Sequence, residues 1–211
     1  MHRVFDRLNR FFARPLDLGP RLLTIAAALL LVAVYLLPLW NLTMFAPQYP
    51  EGLRLDVYSY RLEGGNKGQD IREINVLNHY IGMRDLVEED FTEFKWLPFV
   101  VGVLGLLYLR AAVLGTAGHL VDVAVLNVYF SAFALWSFGY RMWVYGHTLA
   151  PTAAVKVDPF MPPMFGYKQL ANFEVYSYPQ AASYAMGLST LLLLTALVLA
   201  WRADRRTGAV A

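Results

Sequence analysis

Four long apolar blocks run along the chain, and most of the polar residues collect between them. RLLTIAAALLLVAVYLLPLW (21–40) and AASYAMGLSTLLLLTALVLAW (181–201) are unbroken except at their edges. LPFVVGVLGLLYLRAAVLG (97–115) is interrupted by Arg110, and HLVDVAVLNVYFSAFALWSFGYRMW (119–143) carries Asp122 and Asn127. A bilayer core about 30 Å thick is crossed by roughly 20 helical residues. The pattern therefore predicts an all-α membrane protein with four transmembrane helices. The first block runs on into LPLWNLTMF and not into a small-residue cleavage site, so it is expected to stay as an anchor.

The polar stretches set an orientation. Segment 1–20 and the start of the first block hold Arg3, Arg7, Arg10, Arg14 and Arg21, and tail 202–211 adds Arg202, Arg205 and Arg206. Positive residues near helix ends mark the cytoplasmic side, which puts both termini in the cytoplasm of a bacterial inner membrane. Segments 41–96 and 144–180 then fall on the periplasmic side. The first of them carries 10 acidic against 6 basic residues, a contrast that fits this orientation. In VFDRLNRFFARPL, Val4, Phe5, Leu8, Phe11 and Phe12 recur at helical spacing opposite arginines. This suits a short helix in the headgroup layer, with a solvated basic tail as the alternative.

Within the periplasmic segments the period changes. GLRLDVYSYRLEGG has strand composition closed by the turn signal GGNKG. From Asp70 the apolar stripe Ile74, Leu77, Ile81 predicts a helix stopped at Gly82, and DLVEEDFTEF predicts a second short helix. Segment 144–180, rich in proline and aromatics, is expected to be an ordered irregular loop ending in an extended stretch. VYSY occurs at 57–60 and again at 175–178; the two copies either pair as a small sheet or are alike by chance. A small mixed α/β periplasmic cap formed by the two segments is the expected result.

Composition narrows the chemistry. With no cysteine, the chain has no disulfides, thiolate metal sites or iron–sulfur clusters. Five of its seven methionines, Met44, Met83, Met142, Met161 and Met164, lie in or beside the periplasmic segments, as do His79 and His147. Thioether and imidazole together make a soft donor set suited to Cu(I). His79, Met83, His147, Met161 and Met164 are thus the candidate metal ligands, and copper is the one cofactor they suit. The competing reading is packing, because methionine fills irregular gaps beside aromatic rings, which MPPMFGY supplies. No phosphate loop, nucleophile elbow or nucleic-acid motif is present, and catalysis by this chain alone is not expected.

INVLNHYIGM with its acidic follower, and DPFMPPMFGYKQLANF, resemble the corresponding motifs of small multi-spanning membrane proteins of NosB type. These are encoded in nitrous oxide reductase gene clusters. The likeness covers the outside segments and the four-span layout, about two-thirds of the chain. It implies an inner-membrane accessory or partner protein for a periplasmic copper enzyme, and implies no catalytic residue. The partners expected are membrane lipids and a periplasmic redox or copper protein. The other reading is a non-catalytic structural subunit, in contact with neighbouring subunits of a larger respiratory or photosynthetic complex. Scarce polar residues in the spans and aromatic-rich loops suit that reading.

Overall fold

The computed structural model describes residues 2–170 and 172–208. In chain order these form α1 (His2–Ala13), α2 (Leu18–Leu30), α3 (Ala33–Leu36), β1 (Trp40–Ala46), β2 (Tyr49–Val57) and β3 (Leu62–Gly64). There follow α4 (Gln69–Tyr80), α5 (Glu93–Leu114), α6 (Ala117–His147), β4 (Gly166–Leu170), β5 (Phe173–Pro179) and α7 (Ala181–Gly208). Four helices are long and apolar enough to cross a membrane: Leu18–Leu36, Glu93–Leu114, Ala117–His147 and Ala181–Arg206. The expected mostly helical chain is present, together with one antiparallel sheet. The later helices overrun the apolar blocks that predicted them, α5 starting at Glu93, α6 ending at His147 and α7 running on to Gly208. The first block does the reverse. Its helix ends at Leu36, and Trp40 already belongs to a strand.

The chain divides into two compact units. One comprises Met1–Ala33, Phe99–Ala132 and Tyr184–Ala211. Small residues let its backbones approach: Ala27, Ala111, Ala112, Ala117, Ala124, Ala196 and Ala200 are all buried. Polar side chains then join the helices. Ser189 of α7 donates to the Ala27 carbonyl of α2 at 2.7 Å, and the Tyr108 hydroxyl of α5 donates to Asn127 Oδ1 of α6 at 2.6 Å. Asn127 Nδ2 in turn donates to Thr190 Oγ1 of α7 at 3.0 Å. Asn127, noted in the sequence as an isolated polar residue, is the hub of this chain of bonds. Among the described residues no buried side-chain nitrogen or oxygen lacks a partner, as a low-dielectric interior demands.

The other unit, Val34–Pro98 with Phe133–Ser183, is built on a five-stranded antiparallel sheet of order β3-β2-β1-β5-β4. Leu42 stands opposite both Leu55 and Ser177, so one register fixes the face shared by three strands. Leu42, Ala46, Leu53, Leu55, Leu62 and Phe173 make a core with Ile74, Leu77 and Ile81 of α4. That is the stripe the sequence predicts. Buried Asp70 opens α4 and accepts the Arg54 N–H at 2.9 Å, tying helix to strand.

Two local expectations are corrected here. The VYSY copies belong to one sheet but do not pair with each other, because β1 lies between β2 and β5; the first copy runs out of its strand after Val57. DLVEEDFTEF is also not a helix of its own. It has a single 3-10 turn at Glu88–Asp90, after which α5 begins at Glu93. Side-chain bonds tie it to other elements: Asn75 Oδ1 accepts the Leu86 N–H at 2.8 Å, and the segment's own Glu88 carboxylate accepts the Leu62 N–H of β3 at 2.8 Å.

Candidate functional site: the loop after α6 and its aromatic ladder

The sequence-predicted ligands gather around one loop, residues 148–165. Its first anchor is the C-terminus of α4. Gly82, at φ +80°, supplies the left-handed residue that a side chain would resist. Its N–H donates to the His79 carbonyl at 3.1 Å, while the Met83 N–H reaches back to the Asn78 carbonyl at 2.8 Å. This pair of bonds is a Schellman ending, which turns the following side chain onto the helix's apolar side. Met83 accordingly packs against the core of the unit, whereas His79 remains exposed on the last turn. The two residues that the sequence sets four apart thus have different surroundings.

The loop then ties itself to that turn. Ala150 N–H donates to the Gly82 carbonyl at 2.7 Å, and Val155 N–H to the Tyr80 carbonyl at 3.1 Å. A side chain on Gly82 would meet Ala150 O at 2.9 Å, so glycine also permits the close approach. Next the chain returns to α6. The Phe160 N–H donates to the Gly146 carbonyl at 3.0 Å, and any Cβ on Gly146 would overlap the Phe160 carbonyl oxygen. Two turns back along the same face of α6, a Cβ on Gly139 would lie 3.1 Å from the Met164 sulfur. FMPPM therefore runs along α6 from Gly146 to Gly139. Its prolines, Pro162 and Pro163, are buried, and its methionines are half-buried. Two outward ties hold it: Lys168 Nζ donates to the Met161 carbonyl at 2.7 Å, and Ser177 Oγ to the Met164 carbonyl at 3.2 Å.

Contact between Phe160 and Gly146 brings the neighbours of each, Met161 and His147, to the same end of α6. His147 Nδ1 lies 2.9 Å from the Trp143 carbonyl. A carbonyl only accepts, so Nδ1 carries the proton in that bond, and Nε2 is the ring atom that a metal would use. Metal-binding histidines use the same arrangement to fix their tautomer. Of the five candidates His147, Met161 and Met164 adjoin one stretch of helix, and His79 and Met83 adjoin the opposite end of the loop.

His147 is also the last ring of a ladder that the sequence reading missed. Phe133, Trp136, Tyr140, Trp143 and His147 are spaced by three and four residues and lie on one face of α6. Consecutive centroids are 5.8, 5.6, 6.3 and 4.6 Å apart, and the last three pairs are stacked within 19°. Phe133 leans on Trp96 of α5 at 5.4 Å, and the rings after it are open: Trp136 is 62% exposed and Tyr140 52%. The 3-4 spacing is itself the signal, hidden inside a block read for its hydropathy.

A charged clamp holds this part of α6. Arg141 Nε and Nη2 donate to the two oxygens of Glu93 at 3.0 Å each, and Ser137 Oγ donates to Oε1 at 2.8 Å. The guanidinium sits 5.7 Å over the Phe91 ring, which stacks on Tyr145 at 5.9 Å. On the open face of the sheet, Phe45 and Tyr167 both contact the ring of Tyr176. Desolvation, and then the charge of Glu174, hold the Tyr176 phenol above its ordinary pKa. Comparison of the chain with protein-family models, with curated proteins and with solved structures gives no match.

Proposed function

We propose that this chain is an inner-membrane accessory protein whose sheet-and-loop unit binds a periplasmic copper or redox protein and holds Cu(I) at the loop after α6. One observation carries the reading. A single loop, pinned by backbone bonds to Gly82 and Gly146, lays Met161 and Met164 along the helix that ends in His147, with His79 and Met83 beside its other tie and an exposed aromatic ladder on the same helix. His147 and Met161 at the Gly146 end of α6, joined by the Met164 thioether once it moves up from Gly139, would make a donor set that fits Cu(I), with the His147 Nδ1–H held by the Trp143 carbonyl so that Nε2 would be the ligating atom. Bound copper would be transferred or stored there; the chain's own residues would orient it and screen it with aromatic rings. The likeness to NosB-type proteins supports the same class of partner. Both termini are assigned to the cytoplasm, with the loop on the periplasmic side.

Aromatic rings that are already stacked lose little freedom when a partner covers them, which suits a docking surface. A photo-crosslinking residue placed at Trp143, the last ladder ring before His147 and the loop, in the native host tests the docking role. Capture of a protein with a copper or redox centre supports the reading. Capture solely of integral subunits of a respiratory or photosynthetic complex would overturn it in favour of a structural subunit, the alternative favoured by the length of the exposed ladder.

A further inference from the structure

Helix α1 and the end of α7, both in the helical unit, carry a surface of different chemistry. Its helix α1 is fixed, not trailing: the Leu16 N–H donates to the Gly115 carbonyl at 2.6 Å, the Ala117 N–H to the Arg14 carbonyl at 2.9 Å, and Pro15 bridges to Thr116. Arg14 also reaches Asp204 of α7 at 3.6 Å. Gly115, at φ +63°, leaves the space that the Arg21 guanidinium fills, and Arg21 Nε donates to the Leu16 carbonyl at 3.1 Å. With α1 held this way, Phe11 is buried, while Phe5, Leu8 and Phe12 form an open apolar stripe 58%, 44% and 40% exposed. Arg7 and Arg10 project from the opposite side of the helix. Arg202, Arg205 and Arg206 crowd the α7 end to which α1 is tied. Asp6 and Asp17 are the exposed carboxylates on the α1 side.

We infer that α1 and the end of α7 form a binding site for anionic phospholipid of the phosphatidylglycerol class. The apolar stripe lies among the acyl chains, and Arg7, Arg10, Arg205 and Arg206 take the headgroup phosphates. Charge complementarity identifies the occupant, since arginine binds phosphate oxygens with paired, charge-assisted hydrogen bonds. An apolar face flanked by arginine is the form of a helix lying in a headgroup layer. The inference rests on the membrane reading of the four apolar helices, and goes beyond it by giving one end a lipid preference.

The test uses the full chain in nanodiscs of pure phosphatidylcholine or with phosphatidylglycerol added, and reads retained lipid by native mass spectrometry after transfer to detergent. The wild type should retain phosphatidylglycerol preferentially. Affinity should fall about fivefold for each of Arg7→Gln, Arg10→Gln and Arg206→Gln, following the attraction of single basic residues for anionic membranes. Phe5→Ser with Phe12→Ser should weaken retention while leaving the arginines in place. Millimolar inorganic phosphate should not displace the lipid. Equal retention of the two lipids by a chain that enters the nanodiscs would overturn this inference alone. A chain that stays out of them altogether would overturn the membrane reading, and this inference with it.

Discussion

Asn127 joins α5 to α7 through two bonds, and its replacement by alanine removes both. The Tyr108 hydroxyl at 2.6 Å loses its acceptor and the Thr190 hydroxyl at 3.0 Å loses a donor. Hydrogen bonds between membrane helices contribute about 0.6 kcal/mol each on average, with a maximum near 1.7. An orphaned buried hydroxyl adds a penalty of about 1–3 kcal/mol. Tyr108 is fully buried, so water cannot rescue it. Once Asn127 is gone, the freed Tyr108 hydroxyl can donate to the neighbouring Ser189 Oγ, whose own proton goes to the Ala27 carbonyl, and this offsets part of that cost. Asn127→Ala should therefore destabilise the protein by about 2 kcal/mol, measured by reversible unfolding in bicelles. The two positions share one bond, so Tyr108→Phe with Asn127→Ala should cost about 1 kcal/mol less than the sum of the single changes. A strictly additive double variant, or an Asn127→Ala change within about 0.3 kcal/mol of wild type, would refute the network as a stabilising element.

The remaining predictions concern the other unit. Gly146→Ala should dislodge FMPPM, because the new methyl meets a backbone oxygen, with a cost above about 2 kcal/mol; Gly139→Ala meets a flexible thioether and should cost less than half as much, both read by thermal denaturation. Arg141→Ala should cost about 2 kcal/mol, between the values for exposed and buried pairs, since its side chain and that of Glu93 are 24% and 19% exposed. Arg141→Lys should recover part of that cost but not the paired geometry. The Tyr49 phenol bonds the Glu73 carboxylate, and that bond, then desolvation, raises its pKa above the ordinary value. A raised folded-state pKa gives stability that is present below pH about 10 and lost as pH rises through the folded value. Tyr49→Phe should thus lower the melting temperature at pH 8, and the difference from wild type should shrink as the pH is raised beyond about 10.

Much of the architecture was legible because hydropathy and period are local. Four helices, the α4 stripe at Ile74, Leu77 and Ile81, and the stop at Gly82 follow from residues within one turn or one block. Sheet order was not legible, since β1 pairs with a strand more than a hundred residues away and the two VYSY copies resemble each other without touching. DLVEEDFTEF shows the same limit: its helical composition yields to Asn75, whose side-chain amide bonds both the N–H and the carbonyl of Leu86, the carbonyl being one that a helix would have used. The candidate site was legible as a set of residue types and not as an arrangement. Met83 faces inward because of how α4 ends, and the ladder from Phe133 to His147 needed a periodicity test inside a block scored only for its apolar content.

Cu(I) titration of the full-length protein against a chromogenic chelator addresses the central claim most directly. The account predicts about one equivalent of Cu(I), lost when His147→Ala is combined with Met161→Leu and Met164→Leu, and largely retained when His79→Ala is combined with Met83→Leu. Wild-type protein that takes up no Cu(I), or a triple variant that binds it unchanged, would contradict it.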